Sequence, residues 1–436
     1  MGIFRAKKSV LKNCKIYQML FKSGKEKHLS FHTPGHKAGK WDITELAYSD
    51  NLSSPSGCIA EAERDVAQIL GAKKSFILTD GSTAGVLAML YAAKTLGVRT
   101  VALFEKSHKS VFNGCKLMGL TPLVYTEKVR GKIPLPPTMY EMKENFSKIL
   151  ESADALFITS PDYYGNVAEL DALRKFCDEN KKLLLIDGAH GGHLHFDKTL
   201  YAGAYADMWV DGVHKSLPAL TQGAVVSART QEYADALYQG VQIFRTTSPS
   251  YPIMASVEYA VKYPRNEALE KRAKAYISSC ARIYTSADWT KIVALFGDKA
   301  FEAEKELTMK GIYPEFCDGN AVVFYLSPAT ALREWKRLKR ELAILFEKYP
   351  FTQEKELESV PAPLLLDKNA TTEWVDLEES EGKICAADCG LFPPCTPLIR
   401  AGERIEREKI DLLKKAANVY GLADKKILTV NENEGE

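Results

Sequence analysis

An acid and an amine stand twenty-eight residues apart in this chain, Asp187 in KLLLIDGAHGGHLHF and Lys215 in ADMWVDGVHKS, each just past an apolar run of β type. A lysine amine can form a Schiff base with an aldehyde, and a carboxylate can keep a pyridine nitrogen protonated so that the ring draws electrons from a bound carbon. Those are the two demands of pyridoxal 5'-phosphate, and the chemistry they imply is at the α-carbon of an amino acid. Alone, an Asp at a strand end is a turn or cap residue and a Lys is solvated. Here Leu183, Leu184, Leu185 and Ile186 lead into Asp187, and Met208, Trp209 and Val210 precede Lys215. Both side chains should therefore emerge at the carboxyl ends of strands buried on two faces, where open α/β sheets bind ligands.

DGSTAG, residues 80–85, joins the apolar run SFIL to an apolar helical stretch and places Gly81, Ser82 and Thr83 at a helix N-terminus. Backbone N–H groups and two hydroxyls at that position suit a phosphate, while the plain alternative is a Ser/Thr-capped helix. It is no Walker loop, since the Gly-Lys-Ser/Thr ending is missing. The eight histidines (28, 32, 36, 108, 190, 193, 195, 214) raise a metal site as a rival. HGGHLH sits in Gly-rich chain with no helix to align ligands, and HExxH does not occur, so histidines facing a phosphate and a flat ring are the better account. Nine dispersed cysteines read as reduced thiols; Cys385, Cys389 and Cys395 cluster, yet no His follows His214 to complete a zinc set. We expect no metal.

The elements that position these residues follow from periodicity. Between about residues 70 and 230 short β-rich runs alternate with helical ones: SFILTD, TAGVLAMLYAAKTLG, RTVALFE, DALFITS, ELDALRKFCDENK, LLLID, ADMWVDG. That rhythm predicts an α/β fold with a mainly parallel sheet flanked by helices. Residues 267–297 read as one long helix or two, followed by a smaller α+β unit with GNAVVFYLSP as a strand and ALREWKRLKRELAILFEKYP and REKIDLLKKAANVYGL as helices. Leu332, Trp335, Leu338, Leu342 and Leu345 make a core stripe on the first of these helices. The division expected is 1–285, an arm and a large domain, and 286–436, a small domain; NENEGE reads as a frayed tail.

With 436 residues and 46% hydrophobic composition the chain can bury a large core. The 58 Lys and Arg are interspersed with 56 Asp and Glu, so a net charge of +2 offers no stripe for nucleic acid or an anionic membrane. No apolar run reaches the roughly 20 residues of a membrane span, MGIFRAKKSVLKN lacks a signal-peptide core, and Ala6 spoils a myristoylation motif at Met1-Gly2. A cytoplasmic enzyme is expected.

HTPGHKAG (32–39), DITEL (42–46), DGSTAG, SHKSVFNG (107–114), SPDYYGN (160–166), DGAHGGHLHF (187–196), HKSLPALTQGA (214–224), TTSPSY (246–251) and FPPCTPLIRAGE (392–403) stand in the order found in the Orn/Lys/Arg decarboxylases. The chain resembles that family from about residue 30 to 410, in its short form, with no room before HTPGHK for a receiver-like domain. The resemblance implies the pyridoxal-phosphate transferase fold of type I, with a smaller C-terminal α+β domain. By position it makes Lys215 the Schiff-base lysine and Asp187 the pyridinium partner. His108 would stack on the ring and Ala189 pack on its other face; Gly81, Ser82, Thr83, His190 and His214 would complete the cofactor site. Thr247 and Ser248 of TTSPSY would reach the phosphate of a neighbouring subunit in a homodimer, and Glu403 would receive the substrate's distal cation. The local alternative for Glu403 is a solvated acid opening the helix ERIEREKIDLL.

Three positions depart from the family: Gly188 replaces Glu, Gly212 replaces a Ser that offers the phosphate a hydroxyl, and Cys395 replaces Gly in the loop leading to Glu403. The reading is decarboxylation of arginine, lysine or ornithine to a polyamine or its precursor. Its rivals are an aminotransferase or lyase reaction on the same cofactor, for which Arg400 would anchor the α-carboxylate, and a cofactor-binding protein without turnover. One methylene of substrate length is worth only about 1–3 kcal/mol, so the sequence does not rank the three amino acids.

Overall fold

The computed structural model describes residues 7–26, 29–37, 41–126, 128–130, 133–350, 371–392, 395, 397–416 and 418–431. His28, the Met1-Gly2 terminus, the tail beyond Asn431, and parts of HTPGHKAG and FPPCTPLIRAGE lie outside the described residues.

A seven-stranded sheet organises the first part of the chain, in the order Lys74–Leu78, Ala224–Ala228, Met208–Asp211, Leu183–Gly188, Ala155–Thr159, Thr100–Phe104, Thr121–Tyr125. The run from Met208–Asp211 to Thr121–Tyr125 is parallel, and Ala224–Ala228 is antiparallel to both neighbours. Period-2 alternation distributes the side chains between two cores. Leu103, Phe157, Leu185 and Val210 point to one face, against Val86, Ala88 and Leu90 of helix Gly81–Thr95, Val111 of Lys109–Met118 and Leu237 of Gln231–Phe244. Ala102, Leu156, Ile158, Leu184, Ile186 and Trp209 point to the other, against Ile59 and Val66 of Cys58–Leu70, Leu173 of Leu170–Glu179 and Val257 of Tyr251–Val261. Burial on both faces explains why these strands are unbroken apolar runs.

The second part corrects the expectation for 267–297. Helix Glu267–Ser279 forms, but Lys291–Leu295 is a strand, antiparallel to Ala321–Tyr325, which also pairs with Phe316–Cys317. KIVAL carries two β-branched residues and finds an apolar partner in AVVFY, so tertiary pairing overrides the helical run before it. Helices Glu267–Ser279, Ala300–Met309 and Leu332–Lys348 share one core with these strands, and Trp335, Leu338, Leu342 and Leu345 form its buried stripe with Leu332 at the margin. The last helix is shorter than its pattern suggested. It covers Arg407–Lys415, and Val419–Tyr420 then pairs with Gly390–Leu391. Among the described residues no helix is long and apolar enough to cross a membrane.

Candidate active site

Asp187 lies at the carboxyl end of its strand, 4% exposed, with Oδ1 accepting the N–H of Ala189 at 3.0 Å. Burial raises its pKa, and the Lys215 ammonium pulls it back down. Lys215 stands on a one-turn helix, Val213–Ser216, entered from the adjacent strand Met208–Asp211, whose Val210 is in register with Asp187. Its Nζ is 3.1 Å from His190 Nε2. Burial lowers the Lys215 pKa; Asp187, Glu315 and Cys395 oppose that shift and Lys291 adds to it. A desolvated lysine of this kind keeps a larger neutral fraction and is the better nucleophile.

Two histidines border this pair. His108 precedes helix Lys109–Met118 and caps it, Nδ1 accepting the Ser110 N–H at 3.2 Å and lying 2.8 Å from the Ser110 hydroxyl. Burial first, then Lys215 and Lys109, push its pKa down to about 3, so its ring is neutral. His190 is held edge-on between Tyr163 and Tyr325, with ring centroids 4.6 and 5.5 Å away. Burial, Lys215 and Lys291 hold it well below the usual imidazole range.

The phosphate-type turn forms as its residues suggest. Gly81 adopts φ +73° and donates its N–H to the Gln222 carbonyl at 2.9 Å, turning the chain into helix Gly81–Thr95. Thr83 is exposed, whereas the Ser82 hydroxyl is buried with no hydrogen-bond partner among the described residues. His214 Nδ1 is 2.9 Å from the Gly223 carbonyl. A Cβ at Gly212 would lie 2.4 Å from the Ala189 carbonyl oxygen and 2.8 Å from Ser82 Oγ, so glycine is required where relatives carry Ser. Cys395 holds the left-handed conformation, φ +63°, that the family's Gly would adopt without strain.

Lys215, Asp187, His108 and His190 thus form one electrostatically coupled group, with Ala189 bonded to Asp187. An orphaned hydroxyl at a helix N-terminus, a neutral flat ring, a buried carboxylate and a desolvated amine fit a phosphorylated pyridine aldehyde. Thr247 and Ser248 are exposed, although the arm is anchored beside the phosphate turn by the Thr246 N–H, which donates to Asp80 Oδ2 at 3.3 Å. Glu403 does not open a helix: the last helix starts at Arg407. Its carboxylate is ion-paired to Lys409 and accepts the Arg400 N–H at 2.9 Å. The Arg400 guanidinium lies 4.6 Å over the Phe112 ring, with one Nη buried and unpartnered among the described residues.

Two further groups escaped sequence reading. The Glu315 carboxylate makes no hydrogen bond or ion pair among the described residues; burial raises its pKa while the charges of Lys215 and Lys291 lower it. Glu315 is solvent-exposed. Lys291 is 1% exposed and forms a buried ion pair with Asp288 at 3.1 Å. Neither belongs to a recognisable motif; only the pairing of Phe316–Cys317 and Lys291–Leu295 with the strand between them locates these residues.

Residues 40–294 match the family described as Orn/Lys/Arg decarboxylase, major domain. The chain belongs to this family. Its enzymes are amino-acid decarboxylases that depend on pyridoxal phosphate, and this chain is an amino-acid decarboxylase of the group. An uncharacterised protein of Bacillus subtilis, YaaO, is 28% identical over 92% of this chain and 94% of its own length. The arginine decarboxylase of the same organism is 24% identical over 92% and 93%. In structure the constitutive lysine decarboxylase of Escherichia coli aligns with a TM-score of 0.72 at 18% identity, covering 97% of this chain and 82% of that one, which establishes the fold.

Proposed function

We propose that this protein decarboxylates a basic amino acid, arginine, lysine or ornithine, to a polyamine or its precursor, with pyridoxal 5'-phosphate carried on Lys215. The observation that carries the reading is the half-buried Lys215 amine against His190 at 3.1 Å, electrostatically coupled to the buried Asp187. When bound, the pyridoxal ring supplies a sink for the electron pair left on Cα as carbon dioxide departs. Asp187 Oδ2, free of the Ala189 bond, would hold the proton on the pyridine nitrogen. Ser82, Thr83 and the first N–H groups of helix Gly81–Thr95 would hold the phosphate, with His214 beside them. His108 offers a neutral face to the ring. The neutral His190 Nε2 can accept an N–H from Lys215 Nζ and so orient that amine, and Lys215 is the group placed to hold and move a proton at the reacting carbon. The buried Tyr163 and the half-buried Tyr325 screen this site from water.

For the distal cation we propose Glu315 ahead of Glu403, because Glu315 is uncommitted and feels the charge of Lys215, whereas the Glu403 carboxylate already holds Lys409. A cation entering a closed pocket needs an opposing charge. We also propose a cytoplasmic homodimer in which Thr247 and Ser248 complete the neighbour's phosphate site, and a domain boundary ahead of helix Glu267–Ser279 in place of the expected 285/286, because that helix shares its core with the second unit. Incubation with pyridoxal phosphate, borohydride reduction and peptide mapping should label Lys215, and carbon dioxide should be released from a basic amino acid without keto-acid. An unlabelled Lys215 overturns the reading.

A further inference from the structure

A second group of charges is buried beneath the site. Asp288 is fully buried, as is Lys291, and their ion pair spans 3.1 Å. Asp288 Oδ1 also lies 2.8 Å from His193 Nε2 and accepts the N–H and hydroxyl of Thr290 at 2.9 and 2.7 Å. Lys291 Nζ donates to the His190 carbonyl at 3.3 Å and to Thr290 Oγ1 at 3.1 Å, and stands 4.2 Å over the Tyr325 ring. The cluster is packed without slack. A Cβ on Gly165, which has φ +88°, would lie 2.9 Å from Lys291 Cγ.

An ion pair in such a place is weak evidence for stability, since apolar replacement of a buried pair is often neutral or favourable. Its geometry supplies another reason. Two of the groups Lys291 touches, the His190 main chain and the Tyr325 ring, help orient the His190 imidazole together with Tyr163, and that imidazole meets Lys215. We propose that Lys291, set by Asp288 and His193, is a positioning residue that fixes His190 against Lys215 and places a second cation beside the reactive amine. The inference rests on the assignment of Lys215 above.

Lys215 is faced by Asp187 on its own sheet, His190 in the following turn, Glu315 and Lys291 from the second unit, Cys395 from the C-terminal loop, His108 from the neighbouring helix and His214 beside it. Among these Lys291 is the fixed like charge, and removing it should make Lys215 easier to protonate.

The test uses Lys291→Met and the charge-neutral double variant Asp288→Asn/Lys291→Met. Lys215 in cofactor-free protein is labelled with an amine-reactive reagent over a pH series and read by peptide mass spectrometry. Alongside it, kcat, KM and the melting temperature are measured. The expected result is an upward shift of the labelling midpoint, hence slower labelling at a fixed pH below it, with kcat down and KM little changed. Wild-type labelling and kcat in either folded variant overturn the proposal, and failure of both variants to fold assigns the cluster to stability and overturns it too. Borohydride labelling of Lys215 in wild type separates this failure from failure of the functional reading.

Discussion

Glu315→Gln tests where the substrate's far end is recognised. The substitution keeps shape and removes one charge. A hydrogen bond to a charged group contributes about 1.5–3 kcal/mol, which corresponds to roughly 10- to 150-fold in kcat/KM. Glu315 is solvent-exposed and screened, so the bottom of that range applies, about 10-fold at most. The loss should appear in KM. Glu315 also raises the Lys215 pKa, and its removal leaves that amine more neutral, so kcat has no reason to fall through that route. Carbon dioxide release is measured with arginine, lysine, ornithine and norleucine, whose side chain ends in a methyl group. The variant should be impaired with the three cations and unchanged with norleucine. Glu403→Gln, which only breaks the pair with Lys409, should cost little with any of them. Normal kinetics in Glu315→Gln together with a cation-specific KM defect in Glu403→Gln would refute the assignment and return the role to Glu403.

Gly212→Ser, the change toward the family residue, should lower stability by about 1–3 kcal/mol because its Cβ would overlap the Ala189 carbonyl and Ser82; a thermal melt at or above wild type contradicts this. Asp211 accepts hydrogen bonds from Tyr201 at 2.7 Å and Trp209 at 3.1 Å, and burial holds its pKa up to about 7. The native state therefore binds the extra proton between the unfolded value of about 4 and that pH, and stability is lost as pH rises through this window, by on the order of 4 kcal/mol at most. Asp211→Asn should melt increasingly above wild type from pH 4 to 7, and a pH-independent difference between the two would refute the linkage. If Ser248 serves the neighbour's phosphate, mixing inactive Lys215→Ala and Ser248→Ala proteins should restore activity in hybrid dimers; no recovery on mixing argues for a simple turn around Pro249.

The large sheet was legible because burial on both faces writes itself as continuous apolar runs, and Asp187 and Lys215 stand where those runs stop. Ser82 was legible for the same reason, at the change from strand to helix. The segment 288–291 was not. KIVAL follows a helical pattern, and its identity as a strand depends on AVVFY, about thirty residues on, which local periodicity cannot pair. Glu315 and Glu403 show the limit for charges. Both are acids next to a turn, and only the three-dimensional neighbours, Lys215 for one and Lys409 for the other, separate a free carboxylate from a committed one.

Two of the three departures from the family share a physical cause. Gly188 and Asp211 are in register on adjacent parallel strands, so the turns that leave those strands start side by side. A Cβ at Gly188 would meet the Val210 carbonyl at 3.0 Å, and one at Gly212 the Ala189 carbonyl at 2.4 Å. The approach leaves no room for a Cβ at Gly212 and only a tight fit for one at Gly188. That approach carries Ala189 and His190 over the Val213–Ser216 helix and brings His190 Nε2 to 3.1 Å from Lys215. The glycines therefore act together: Gly212→Ser must push back the Ala189 carbonyl, and with it the histidine that orients the reactive amine.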